Sequence, residues 1–256
     1  MNGRIVLVAA NRGDRAAADF VAASGSDAHL MTPGDLSQPG WRFRLGDAAG
    51  SVAVVGGERI RAGAIAGVLT RAACVTIQDL PHIVASDRPY VAAEMTAFLL
   101  AWLSALECPV INRPTPQCLC GPAWGREKWA NLAMSLGIPT APALRRVRRE
   151  GEDGSAGDGD PAQGAVISVV GRGTSGQGDI ALGQRALALA EAASVDLLAV
   201  QFDGHARDAK LVTATPHLDL ADSRIAEAVA TLMRQKTLRR PPRRRRHDPI
   251  VGTAAG

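Results

Sequence analysis

The run Gly173-Thr-Ser-Gly-Gln-Gly178 is the first place where residue types and spacing point to chemistry. Gly173, Ser175, Gly176 and Gly178 barely screen their backbone N–H groups, and such a run can cradle an anion. The same residues also suit a flexible hairpin turn. Arg71 and Arg113 each follow an apolar run that reads as a strand. The strand ends of α/β folds are where binding groups gather, although solvated arginines account for both equally well. Cys118-Leu-Cys120 is the closest cysteine pair. It lacks the nearby histidine or second cysteine pair of a zinc site, so two buried thiols is the favoured reading over a soft-metal site. His82, His205 and His217 show no ligand spacing, and no Ser, His and Asp set can be picked out by order.

The elements that must position these residues can be read from the apolar pattern. Arg4 to Ala10 predicts a strand, Asn11-Arg12-Gly13-Asp14 a turn, and the Ala-rich stretch to about Ala23 a helix. The turn lacks Gly-x-Gly-x-x-Gly, so no dinucleotide site is inferred. Ser51 to Val55 and Gly67 to Thr70 read as further strands. A long helix is predicted from Asp87 to Leu106, with Asp87 or Ser86 as N-cap and Pro89 in its first turn. Pro109 to Ile111 is a short strand, and a helix from about Gly125 to Leu136 should stop at Gly137. Trp102 sits in an apolar helix and reads as core, whereas Trp124 and Trp129 are candidates to line a pocket. Strands alternating with helices make this an α/β layer with a mostly parallel sheet.

Residues 149 to 164, REGEDGSAGDGDPAQG, have no apolar face and read as a flexible linker. Beyond it come a strand from Ala165 to Val170, the glycine-rich loop and a helix from Leu182 to Ala193. Leu197 to Phe202 and Lys210 to Thr213 then form an antiparallel pair joined around Gly204, before a last helix from about Ser223 to Leu238 capped by Asp222 or Ser223. The predicted units are 1 to 148, the linker, 165 to 238, and a disordered basic tail, 239 to 256.

With 256 residues the chain can bury a substantial core. Its formal charge is +4. Arg239, Arg240 and Arg243 through Arg246 less Asp248 put five positive charges in the tail, leaving the rest near −1. The basic balance therefore says little about what the folded part binds. A tail without interleaved aromatics makes nucleic acid an unfavoured partner. The longest apolar stretch, Met95 to Leu106, is shorter than the ~20 residues needed to span a bilayer. With the short apolar run at the N-terminus, this reads as a soluble cytoplasmic protein without membrane association.

Three segments resemble the ATP-grasp superfamily, close to its peptide-ligase-like and cofactor-glutamylating members. The first is Val110-Ile-Asn-Arg-Pro114, the helix bearing Glu127-Lys128, then Leu136-Gly-Ile-Pro139 and Pro142. The second is the Gly173 to Gly178 run, similar to the small phosphate-covering loop of these ligases. The third is Ala188 to Leu220, which looks like their last catalytic strands. The resemblance implies an N-terminal Rossmann-like pre-ATP-grasp subdomain followed by an ATP-grasp-like α+β subdomain. It also makes Lys128 a candidate to reach nucleotide phosphates, although an exposed lysine in the first turns of a helix is the favoured reading of that position.

The departures from that pattern matter as much. The phosphate-binding lysine expected before the glycine loop falls on Val169, and the metal-ligand positions fall on Gln201, Thr213 and Thr215. Magnesium needs hard, preferably anionic oxygens. Asp203, two residues along the strand, could stand in for Gln201 if the register shifted, because a shift of two preserves the face. Only Asp179 through Val195 stands where such ligases carry a long central stretch, so the C-terminal subdomain reads as truncated. The implied protein is a degenerate ATP-grasp-like pseudoenzyme. It would hold no cofactor and scaffold small-molecule, cofactor or peptide maturation as a homo- or hetero-oligomer with a biosynthetic partner. The alternatives are an active carboxylate–amine ligase using ATP and Mg²⁺, and a nucleic-acid-associated protein using its Arg-rich tail.

Overall fold

A computed structural model describes residues 5–25, 27–142 and 164–238. The predicted linker, apart from Gly164, and the predicted tail lie outside the described residues. Two four-stranded sheets organise the chain.

The first sheet has the order β2-β1-β5-β6 and is parallel throughout. Its strands are β1 (Ile5–Ala9), β2 (Ala28–Met31), β5 (Ile65–Thr70) and β6 (Val110–Ile111). All six residues of β5 are buried, as befits an inner strand covered on both faces. Helix α1 (Arg15–Ser24) crosses from β1 to β2, and α2 (Arg88–Ala105) from β5 to β6. The chain leaves β1 in both directions across the sheet, so the gap between β1 and β5 is its switch point.

Three expectations are corrected here. The predicted strand at Ser51 to Val55 forms as β3 (Val52–Val55), but it pairs only with β4 (Glu58–Arg61) in a separate antiparallel hairpin and does not join the parallel sheet. Asp87 occupies the N-cap position of α2 without capping it through its side chain; its carboxylate accepts from the Ser86 hydroxyl instead. The glycine-rich segment is no loop: Gly173–Gly176 forms strand β8.

The second sheet, β10-β9-β7-β8, is antiparallel. It comprises β7 (Val166–Val170), β8, β9 (Leu197–Phe202) and β10 (Leu211–Thr215). One face buries Ile167, Val169, Leu198, Val200 and Phe202 beneath α3 (Arg126–Ser135) and α4 (Ile180–Ala192), with Trp129 and Leu182 as anchors. Helix α3 ends at Gly137, whose φ of 71° is the left-handed conformation glycine adopts freely.

Helix α5 (Ser223–Leu238) joins the halves. Its Ile225, Val229 and Met233 share a core with Val8 and Leu69 of the parallel sheet and Leu197 of the antiparallel one. Gly67 permits that approach: a Cβ there would stand 3.1 Å from Thr237 Cγ2 and 3.2 Å from Met233 Cε.

Candidate functional site

Alternation along β7 and β9 decides what the antiparallel sheet offers a ligand. Val166 pairs with Gln201, which pairs with Thr213; Ser168 pairs with Ala199, which pairs with Thr215. Side chains two residues apart share a face, so Gln201, Thr213 and Thr215 lie together on the face opposite the α3 and α4 core. Val169 pairs with Leu198 and points the other way, into that core, at 0% exposure. The position implied for a phosphate-binding cation and those implied for metal ligands therefore sit on opposite faces of one sheet.

Asp203 is already engaged. Its Oδ1 accepts from the Lys210 N–H at 2.7 Å, closing the β9–β10 turn. Gln201, Thr213 and Thr215 offer amide and hydroxyl oxygens without charge, a poor match for a magnesium–phosphate group. Among the described residues no group of three His, Cys, Asp or Glu is arranged to hold a metal. The described residues at the implied positions do not fit a magnesium nucleotide.

Lys128 is exposed on the first turns of α3, and its ammonium lies 4.2 Å from the centroid of the Trp124 ring. Trp124 packs in turn on fully buried Trp129, ring centroids 4.8 Å apart, so this aromatic pair is core and cation platform together. The neighbouring Arg126 donates Nε–H to the Val212 carbonyl at 3.2 Å, fixing α3 to β10.

Gly173, Ser175 and Gly176 lie exposed on the outer edge strand β8. Gly176, at φ 144°, is required by backbone contact: a Cβ there would strike the Val166 carbonyl. Gly178 packs by Leu182 just before Asp179, whose Oδ1 caps α4 through the Ala181 N–H. The predicted anion-binding glycines and Lys128 are thus attached to opposite ends of the sheet order. Helix α3 packs on β10, and β8 forms the other edge.

The parallel sheet gathers a denser cluster at the switch point. Arg71, the residue after β5, is only 8% exposed. Its Nε donates to Asp14 Oδ2 at 2.7 Å, Nη1 to the Leu218 carbonyl at 3.0 Å, and Nη2 to Asp14 Oδ1 at 3.3 Å. Nη2 also lies 3.2 Å from His217 Nε2. Because arginine only donates, His217 Nε2 is the acceptor and its ring proton sits on Nδ1. Asp14 also N-caps α1 through Ala17. Arg71 therefore clasps the N-terminal sheet to the segment after β10.

Burial would raise the Asp14 pKa, but hydrogen bonds from Arg71 and the Ala17 N–H, with the charge of Arg71, hold it below the usual carboxylate range. His217 is lowered, first by desolvation where it meets the clasp and then by the Arg71 charge. Asp79 follows the Asp14 pattern. Burial is outweighed by bonds from the Arg12 and Thr76 N–H groups, the Thr76 hydroxyl and Asn11.

Asn112, directly after β6, ties the sheets together. Its Oδ1 accepts from the Asp196 and Leu197 N–H groups at 2.8 and 2.9 Å, and its Nδ2 donates to the Leu197 carbonyl at 2.9 Å. β10 reaches only as far as Ala199, so the Asn112 amide continues the ladder beside Leu197. Arg113 points outward, with a single 3.5 Å contact from Nη2 to the Cys108 carbonyl.

Sequence reasoning named Arg71 but missed its partners Asp14 and His217, and missed the roles of Asp79 and Asn112. The Thr76-x-x-Asp79 capping pattern and the turn Asn11 to Asp14 at a strand end were the available signals. Nothing local ties His217 to Arg71.

The architecture is that of the ATP-grasp fold. Three solved structures share it across nearly their whole length. A macrocyclase, MdnC, bound with precursor peptide MdnA from Microcystis aeruginosa MRC, superposes with a TM-score of 0.66 at 11% identity, over 90% of this chain and 99% of that one. A Chryseobacterium gregarium RiPP-associated ATP-grasp ligase, in complex with ADP and a leader and core peptide, gives 0.63 at 12% identity, over 91% and 97%. The ATP-grasp ligase PsnB, complexed with minimal precursor, Mg and ADP, gives 0.61 at 12% identity, over 91% and 98%. No family model matches the sequence. No curated protein matches it either.

Proposed function

We propose that this chain is a non-catalytic, ATP-grasp-like subunit that binds or scaffolds in the maturation of a peptide, beside a partner chain that supplies the phosphate chemistry. The observation that carries the reading is Val169, buried in the α3–α4 core where a phosphate-binding cation is implied, with neutral Gln201, Thr213 and Thr215 on the opposite face. An apolar side chain in the core cannot neutralise phosphate, and amide and hydroxyl oxygens hold Mg²⁺ weakly. The peptide context is supported by the precursor and leader peptides in the structures that share the fold.

The same reading makes the chain cytoplasmic and part of a homo- or hetero-oligomer. No helix among the described residues is long and apolar enough to cross a membrane. The rival, an active ligase, would need Lys128 and Asp203 for phosphate and metal. Lys128 rests on Trp124, and Asp203 closes a turn.

An ADP-release assay on the purified full chain with Mg²⁺, ATP and added peptide tests the reading. No ADP above background is expected from the chain alone. ADP formation that disappears in Lys128→Ala would overturn it.

A further inference from the structure

The loop between β6 and α3 carries a second chemistry that the scaffold role does not use. Thr115 and Cys118 exchange backbone hydrogen bonds across an exposed two-residue tip, Pro116-Gln117. Cys118 Sγ lies 3.5 Å from Cys120 Sγ, and the two residues are only 3% and 4% exposed. Leu119 between them donates its N–H to the Ala73 carbonyl, which fixes the loop against the segment after β5. The guanidinium of Arg71 acts on Cys120 through its charge.

We propose that Cys118 and Cys120 form a redox pair that hydroperoxides oxidise to an intramolecular disulfide. Cys118 is assigned as the attacking thiol: the contact between the two sulfurs lowers its pKa, while that same contact and burial raise the pKa of Cys120. The Cys118 thiolate attacks one oxygen of H₂O₂, the O–O bond breaks, and a sulfenic acid and hydroxide form. The Cys120 thiol then attacks the sulfenic sulfur, giving the S–S bond, with its proton and the hydroxyl leaving as water. The two sulfurs supply the two electrons that reduce the peroxide. The sulfurs must close from 3.5 Å to about 2 Å, a movement for which opening of the short tip gives room. Gly121, the next residue, lies close to the seam between the sheets: an added Cβ there would stand 3.1 Å from Asn112 Cβ and 3.4 Å from Pro216 Cβ.

The test uses the reduced, desalted full chain exposed to hydrogen peroxide, with free thiols then alkylated in denaturant and mapped by mass spectrometry. The peptide holding Cys118 and Cys120 should lose two hydrogens and take no alkyl group, and dithiothreitol should reverse this. Exposed Cys74 is the competing thiol, so Cys74→Ser should form the same disulfide. Cys120→Ser should abolish the two-hydrogen loss and leave Cys118 as a sulfenic acid trapped by dimedone. Oxidation confined to Cys74, with both loop thiols still alkylated, overturns the proposal. So does a Cys74 cross-link to either loop thiol, or sulfinic acid at Cys118 without disulfide.

Discussion

Asn112→Ala removes the side chain that continues the β9 ladder. Three backbone groups then lose their partner: the N–H and C=O of Leu197, which are buried, and the part-buried N–H of Asp196. Leaving a buried polar group unsatisfied costs about 1–3 kcal/mol. The two Leu197 groups alone give about 2–6 kcal/mol. Against a total stability of about 5–15 kcal/mol this is a large fraction. At about 2–4 °C per kcal/mol for a chain of this size, the melting temperature should fall by roughly 4 °C at the least. Thermal unfolding followed by circular dichroism, with urea unfolding in parallel, reads the change. A fall below about 1 °C, with an unchanged urea midpoint, would show that Asn112 does not hold the two sheets together in solution and would refute the reasoning.

Val169→Lys forces an unpaired ammonium into the α3–α4 core, so we expect a loss of about 3–5 kcal/mol in urea unfolding; near-wild-type stability would mean that the residue faces solvent. Acid sensitivity should come in two stages, because each group titrates lower when folded than unfolded. His217, depressed below its ordinary 6.5, stabilises fully above that pH and less as pH falls through its folded value. Accordingly, His217→Gln should flatten the melting temperature between pH 7 and 5. Asp14 and Asp79, both depressed, contribute fully above about pH 4 and lose that contribution below it, so Asp79→Asn should remove part of the steeper acid limb. Lys128→Ala should change stability by no more than about 1 kcal/mol, the scale of an exposed cation–π contact, and should alter Trp124 fluorescence.

Much of the first sheet was legible in the sequence. The apolar runs at β1 and β5, the Pro89 start of α2 and the Gly137 stop of α3 are local signals, and each lies where it was read. β2 and β4 were missed because four residues such as Glu58-Arg-Ile-Arg61 bury a single side chain and give no period to read. β3 was read as a strand but assigned the wrong partner, since a run of valines does not say which edge it joins. The glycine run looked like a loop because its strand has no core-facing side chain: all four residues are exposed and β7 is the one strand that pairs with it. The site was the least legible part. Arg71 was picked out by its place at a strand end, but its role depends on His217 and Leu218, which only tertiary folding brings to it. Likewise, whether Val169 and Gln201 share a face depends on strand register.

We propose that the described residues of this ATP-grasp architecture do not supply the charges that hold a nucleotide. Isothermal titration of ATP with Mg²⁺ into the full chain tests it most directly. No saturable heat is expected up to millimolar nucleotide. Saturable binding of one nucleotide per chain, lost in Lys128→Ala, would contradict it.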